Sequence, residues 1–302
     1  AGEPTLQWNL IEECISYARN EGKNVGLRPR FIITTNLCIS KKKVKFIGEE
    51  IDTIYVSCDG PPDVMDRNRP IAFGKTSSGS MIEAALGWLN EYGNIGKVTV
   101  RATITKDTQI RQEEFIRYFC DFNIHRIYFV PVSDTGRGET DACVNAKIFV
   151  ENWERAQMRA LSLNAELLLP ILDLNRLRLD GFACGINGSN FVVLPDDSIS
   201  LCYEAVVPES KQASTFKVGH FDNLQNHFEI DIATINAIRK NFHVDRRIVC
   251  DTCFCKPTCA GKCAAREMEP GDFPRNHGMT DTCDITRYLT FKEIKRCLTK
   301  EE

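Results

Sequence analysis

The 302-residue chain carries 38 Lys and Arg against 41 Asp and Glu, a net charge of −3, and 43% of its residues are hydrophobic. That length suggests about two domains, each large enough for a core of its own. The charge balance gives no electrostatic reason to bind nucleic acid or an anionic membrane. No apolar run reaches the ~18–20 residues a membrane helix needs, the longest candidate being Leu167–Leu172, broken by Pro170. The expectation is a cytoplasmic protein with neither nucleic acid nor membrane among its partners.

In chain order, the first half reads as strand–helix units, which favours a parallel sheet. After Pro4 and Thr5, an apolar stripe of Leu10, Ile11, Cys14, Ile15 and Ala18 predicts a helix. Strands are predicted at Arg30–Thr34, Thr53–Ser57, Lys97–Thr103 and Arg126–Val132 from their β-branched and aromatic content. Helices are predicted over Ser80–Tyr92, Thr108–Cys120 and about Asp141–Asn164. Beyond about residue 170 the alternation stops, Gly, Asn, Asp and Pro become frequent, and a hairpin is expected over Asn187–Leu201 with its turn at Pro195-Asp196-Asp197. A last helix is predicted at Thr286–Leu298. The shift in composition sets two domains, residues 1–165 and 166–302. Four strand–helix units cannot close a barrel, and the chain opens at a turn without an initiator Met, so a segment ahead of Ala1 is expected to be missing.

The cysteines depart from an ordinary composition: of 14, five precede Cys184, and six fall between Cys250 and Cys283. No secretory leader is visible, and a disulfide scaffold would use a shorter chain, so metal binding in a reducing compartment is favoured. Cys250 and Cys253 are separated by two residues, Cys259 follows after five, Cys263 after three and Cys283 after 19. Upstream, Cys184 and Cys202 bracket the hairpin. Thiolates at such spacings converge on a tetrahedral metal or a cluster, and soft sulfur ligands select zinc or iron–sulfur. Spacing alone leaves both open, with zinc slightly ahead.

Taken together these residues resemble the radical S-adenosylmethionine (SAM) enzymes that carry a SPASM domain. The family pattern is Cys, 9–15 residues, Gly, four residues, Cys, a gap, CX2CX5CX3C, a gap and a final Cys. Cys184, Cys202, Cys250, Cys253, Cys259, Cys263 and Cys283 follow it, with Asp197 where the family has Gly. In the first half, Gly2-Glu3-Pro4 resembles the Gly-Gly-Glu-Pro motif that receives the SAM amino group. Thr34-Thr35-Asn36 resembles a Thr-Asn-Gly stretch, with Leu37 in place of Gly. Ser57-Cys58-Asp59-Gly60-Pro61-Pro62, continuing to Asp66 and Arg69, is similar to the segment that holds the SAM carboxylate through a Ser and an Arg. The family's CX3CX2C loop, which holds the SAM-cleaving cluster, does not occur. The chain as given is therefore expected not to generate the radical.

The resemblance implies an α/β fold, a partial (β/α) radical SAM barrel followed by a cysteine-rich α+β SPASM domain. It implies SAM contacts from Gly2, Glu3, Pro4, Asn36, Ser57 and Arg69. It implies an outer auxiliary 4Fe-4S cluster on Cys250, Cys253, Cys259 and Cys283, and an inner one, closer to the barrel, on Cys184, Cys202 and Cys263. A third cluster belongs to the missing segment. The inner fourth position falls on Asn190, leaving an open site or an unusual ligand such as Cys255. The implied activity is maturation of a ribosomally made peptide or protein, with or without a leader sequence, by 5′-deoxyadenosyl-radical hydrogen abstraction. The auxiliary clusters would take part in electron transfer or substrate positioning, and a reductant such as ferredoxin or flavodoxin would supply electrons.

Formylglycine-forming sulfatase maturation is the alternative, disfavoured because Tyr203, not Asp, follows Cys202; a phenol with pKa near ~10 is a poor base at neutral pH. Glu204 is the substitute. From another class, a non-catalytic zinc or iron–sulfur scaffold stays open. Cys14, Cys38, Cys120, Cys143 and Cys297 read as small buried hydrophobes, and Cys58 as packed behind its strand. Gly74-Lys75-Thr76 lacks the earlier Gly of a phosphate loop and reads as a plain loop. The five His, His277 among them, show no paired metal spacing.

Overall fold

The computed structural model describes residues 2–71, 76–132, 142–169, 180–207, 209–265 and 281–299. Gly74, Lys75 and His277 lie outside them, as does the expected helix start at Asp141. The chain divides into two compact units, Gly2–Pro170 and Ile171–Glu302. None of the described helices is long and apolar enough to cross a membrane.

In the first unit, β1 (Ile32–Thr35), β2 (Thr53–Ser57), β3 (Val98–Ile104), β4 (Arg126–Pro131) and β5 (Glu166–Leu168) form one parallel sheet in chain order. Parallel neighbours require crossovers, which helices supply. These are α2 (Lys41–Glu50), the pair α3 (Pro62–Asn68) and α4 (Ser78–Glu91), α5 (Gln112–Asp121) and α6 (Ala146–Ser162), while α1 (Trp8–Asn24) precedes β1. Alternate residues build the core. Val56 pairs Val100, Val100 pairs Ile127 and Ala102 pairs Phe129, so one face carries a continuous buried apolar row. Phe129 meets Phe115 edge-on at 6.4 Å and Trp153 at 6.1 Å. The opposite face is polar and at least partly exposed, with Tyr55, Ser57, Arg101, Thr103 and Tyr128.

The second unit is an antiparallel meander, β6 (Val192–Val193), β7 (Ser198–Ser200), β8 (Lys217–Asp222) and β9 (His227–Ile230). With it stand α7 (Lys211–Phe216), α8 (Ile232–Phe242), α9 (Lys256–Cys259) and α10 (Asp281–Thr299). Its core joins Ile199, Leu201, Phe216 and Val218 to Ile235, Ile238 and Phe242 of α8, and includes Cys202, with Cys263 packed against it.

The α/β class and the hairpin at Pro195–Asp197 match expectation, and β2 matches residue for residue. Other expectations do not hold. Strand β5 pairs with β4, so residues 166–168 join the first unit; three residues running into a proline give no strand signature. The stripe on α1 is not a buried face: Ile15 is buried, but Leu10 is 56% exposed and Cys14 is exposed. Helix α5 begins at Gln112, because Thr108 Oγ1 accepts the Thr105 N–H at 2.9 Å and closes a turn first. Helix α10 starts five residues before the expected Thr286 and so takes in Cys283. Helices α2 and α8 were not expected. Cys297 is exposed rather than buried, whereas Cys58 is fully buried.

Candidate functional site

In parallel α/β sheets, ligands sit at the carboxyl ends of the strands, and there the first unit concentrates its polar contacts. At the end of β1, Glu3 Oε1 accepts from the Thr5 N–H at 3.1 Å, the Thr5 hydroxyl at 2.7 Å and the Thr35 hydroxyl at 2.7 Å. Its Oε2 accepts the Asn36 N–H at 2.8 Å. The carboxylate thereby caps the short turn Pro4–Leu6 and ties the chain's opening residues to β1, while Gly2 is exposed. Asn36 Oδ1 accepts the Cys38 N–H at 2.9 Å. Leu37 follows in the left-handed region, φ 56°, fully buried; the turn demands glycine-like backbone, and the buried leucine offsets its conformational cost.

At the end of β2, Ser57 makes no hydrogen bond through its hydroxyl among the described residues. Two residues on, buried Asp59 takes the Arg69 guanidinium edge-on, Nε at 2.8 Å and Nη2 at 3.0 Å, and also accepts the Thr103 N–H of β3 at 2.9 Å. Arg69 Nη2 donates to Thr103 Oγ1 at 3.3 Å, and its Nη1 has no partner among the described residues. Arg69 is thus held through Nε and Nη2, which leaves Nη1 as the donor that could meet an incoming carboxylate. Gly60, φ 145°, allows the chain to turn here, and a Cβ on it would stand 2.9 Å from the Phe115 ring. Asp66 does something else: it accepts from the Ser77 and Ser78 hydroxyls and the Gly79 N–H at the start of α4, and the Gly79 N–H leads the contacts that hold its carboxyl below the ordinary range.

The second unit brings the spaced cysteines together in two sets. Cys202 has Cys184 and Cys263 within electrostatic reach, and burial, with those two thiols beside it, pushes it up to about 11. Ser200 fixes this strand end, its hydroxyl accepting the Cys202 N–H at 3.0 Å. Cys250, Cys253, Cys259 and Cys283 form the other set: Cys250 faces Cys253 and Cys283, and Cys259 faces Cys283, with burial raising both Cys250 and Cys259. Among the described residues, no group of three or more His, Cys, Asp or Glu is closed around a single ion. Soft-metal or iron–sulfur ligation uses thiolates, which a bound metal makes favourable, and cysteine sulfur is the donor type such chemistry needs.

Cys255 departs from expectation. It is buried and lies with Cys253 and Cys259, its Sγ 3.9 Å from the Thr286 carbonyl of α10, and so belongs beside the outer set rather than the inner one. Asn190 Oδ1 folds over Gly185, next in chain to Cys184; a Cβ on Gly185 would lie 1.4 Å from it. Tyr203 is 50% exposed and opens the short turn Tyr203–Val206 with Glu204. Asp197 stands in the left-handed region at φ 59°, the backbone its glycine-like position requires. Sequence reasoning did not single out Tyr55, Arg101, Thr103 and Tyr128, although the period-2 alternation that places them beside Ser57 was available.

No family model matches the chain. It is 25% identical over 224 residues to an uncharacterised protein of Methanocaldococcus jannaschii, 67% of this chain and 76% of that protein. Among solved structures it is similar to anSMEcpe, a radical SAM maturase with a SPASM domain, determined with bound AdoMet and a peptide: TM-score 0.74, 18% identity, 99% of this chain and 83% of that one. It is also similar to Streptococcus suis SuiB bound to S-adenosylmethionine, with TM-score 0.61, 16% identity, 93% of this chain and 64% of that one. The fold is that of radical SAM proteins with SPASM domains.

Proposed function

We propose that the chain is a radical SAM/SPASM maturase acting on a ribosomally made peptide or protein. The observation that carries this reading is the co-occurrence, in one chain of this fold, of a satisfied polar rim at the sheet's carboxyl end and two separate thiol sets. The likeness to proteins solved with AdoMet, one of them also with a peptide, supports it.

In this reading Arg69 and Ser57 bind the SAM carboxylate, Glu3 and Asn36 with Gly2 and Pro4 shape the pocket for its amino group, and the open polar face beside Ser57 receives the remainder. The cysteines hold two 4Fe-4S clusters, three ligands at the inner and four at the outer. SAM, when reductively cleaved, supplies the radical that takes a substrate hydrogen. The chain's own work is to bind, orient and exclude water, with ferredoxin or flavodoxin as the class of electron donor. Tyr203, in place of an acid, favours crosslink-type maturation over formylglycine formation.

Calorimetric titration of SAM into the anaerobically reconstituted chain tests the reading. Binding should weaken at least about tenfold in Arg69→Ala, the loss of a charged hydrogen-bond partner. Equal binding by wild type and Arg69→Ala, or none by either, contradicts it.

A further inference from the structure

The open face of the parallel sheet carries a charge without a place in the reading above. Arg101 stands on β3 between Val100 and Ala102, both fully buried, so its side chain leaves the sheet on the side opposite the core row. Its register partners are Ser57 on β2 and Tyr128 on β4, which place all three side chains on one face. Arg101 is exposed, and its guanidinium has no hydrogen bond, ion pair or ring contact among the described residues. Two neighbouring arginines differ. Arg126, on the same face of β4, lies 3.2 Å from Glu166, its register partner on β5. Arg69, at the rim, lies 2.8 Å from Asp59. The register partners of Arg101, a serine and a tyrosine, bring no negative charge.

The surroundings of this cation are built. The Tyr55 and Tyr128 rings meet across β3 with centroids 6.2 Å apart, and Thr99, the register partner of Tyr55, is 1% exposed. They form an aromatic floor on the amino side of Arg101. On its carboxyl side, Thr103 Oγ1 accepts from Arg69 Nη2 at 3.3 Å, which holds the compensated guanidinium beside the next residue of this face. An uncompensated guanidinium between an aromatic floor and a hydroxyl rim suits a planar carboxylate whose apolar stem lies on the rings.

We propose that Arg101 is the seat of a substrate carboxylate, so that the chain selects a peptide presenting an acidic side chain to this face. A peptide as occupant rests on the function proposed above, in which Arg69 and Ser57 hold the SAM carboxylate. A peptide laid over the face removes water from Arg101. A carboxylate then replaces the lost hydration, whereas a neutral side chain leaves the cation undercompensated. The same chemistry has a second source, the carboxylate of SAM itself, and the test separates the two.

The test is binding to the full chain, reconstituted without oxygen, of SAM, the blocked peptide acetyl-Ala-Glu-Ala-amide and its Gln counterpart, with dissociation constants read by NMR titration. Wild type should bind the Glu peptide at least about tenfold more tightly than the Gln peptide, the worth of a charged hydrogen bond. Arg101→Ala should abolish that preference and Arg101→Lys should keep part of it, with SAM affinity staying within about threefold in both. Glu and Gln peptides bound alike by wild type, or a preference that survives in Arg101→Ala, would overturn the proposal. SAM binding weakened in Arg101→Ala with the Glu preference intact would put the carboxylate of SAM at the seat and overturn the substrate assignment. A wild type that prefers the Glu peptide but binds no SAM would support the seat and remove the SAM reading, so the two fail separately.

Discussion

The two units reach order by different means. The first buries a continuous apolar row across β2, β3 and β4, and its rim carboxylates are already satisfied: Glu3 by four donors, Asp59 by a two-point guanidinium clasp and a backbone N–H. The second has strands of two to six residues, and of its spaced thiols Cys202 sits in the core with Cys263 packed against it. Hydrocarbon burial preforms one site; in the function proposed above, the other is completed only by the clusters its thiols would hold. A preformed site should tolerate loss of its ligand. A site assembled by its ligand should not.

The largest expected effect breaks that comparison directly. Structural metal sites contribute on the order of 10 kcal/mol to folding, so chelating the iron should expose residues 171–302 to protease and spare residues 2–169. Equal resistance in both units would place the order of the second unit in its hydrophobic core alone.

Next comes the rim. Asp59→Ala leaves Arg69 and the Thr103 N–H without their shared acceptor and should cost about 3 kcal/mol in denaturant unfolding of the first unit. Asp59→Asn, which keeps the shape, should cost less. A loss under about 0.5 kcal/mol would mean the clasp is ornamental.

A smaller and two-signed effect separates the left-handed positions. Leu37→Gly relieves the backbone at φ 56° but empties a fully buried site, a net loss of about 2 kcal/mol. Asp197→Gly removes only an exposed side chain at φ 59° and should change stability by about 0.5 kcal/mol or less. Thermal midpoints of the two variants distinguish them.

The smallest effect is in pH. Lys217, bonded to Asp196, together with the Ser198 hydroxyl holds the Asp196 carboxyl down to about 2. A depressed carboxyl stabilises the fold above its unfolded value of about 3.9. That contribution fades as pH falls through about 2. Lys217→Met should lower the neutral plateau of the thermal midpoint slightly and leave its value below about pH 2 unchanged, which flattens the acid limb between them.

Much of this was legible from residues, and the exceptions share a cause. Strand β2 and the Asp196-Asp197 turn announce themselves through local alternation and turn chemistry. The spacing of Cys250, Cys253 and Cys259 is local too, so loop geometry alone brings them close. Helix α2, with Lys at 41, 42, 43 and 45, shows little apolar stripe because Val44 and Ile47 suffice to dock it. Strand β5 pairs with β4, and the first turn or so of α10, which carries Cys283, lies ahead of the periodic stretch. Asp59 reads as a turn residue until β3 brings Thr103 to it, a contact 44 residues away. Tertiary partners, not propensity, decide such positions.

Metal and sulfide content of the full chain, purified and reconstituted without oxygen, tests most directly whether the seven thiols hold iron–sulfur clusters. Two four-iron clusters would give roughly eight iron and eight acid-labile sulfide per chain. Stoichiometric zinc with no sulfide would contradict the cluster assignment and make the second unit a structural zinc domain.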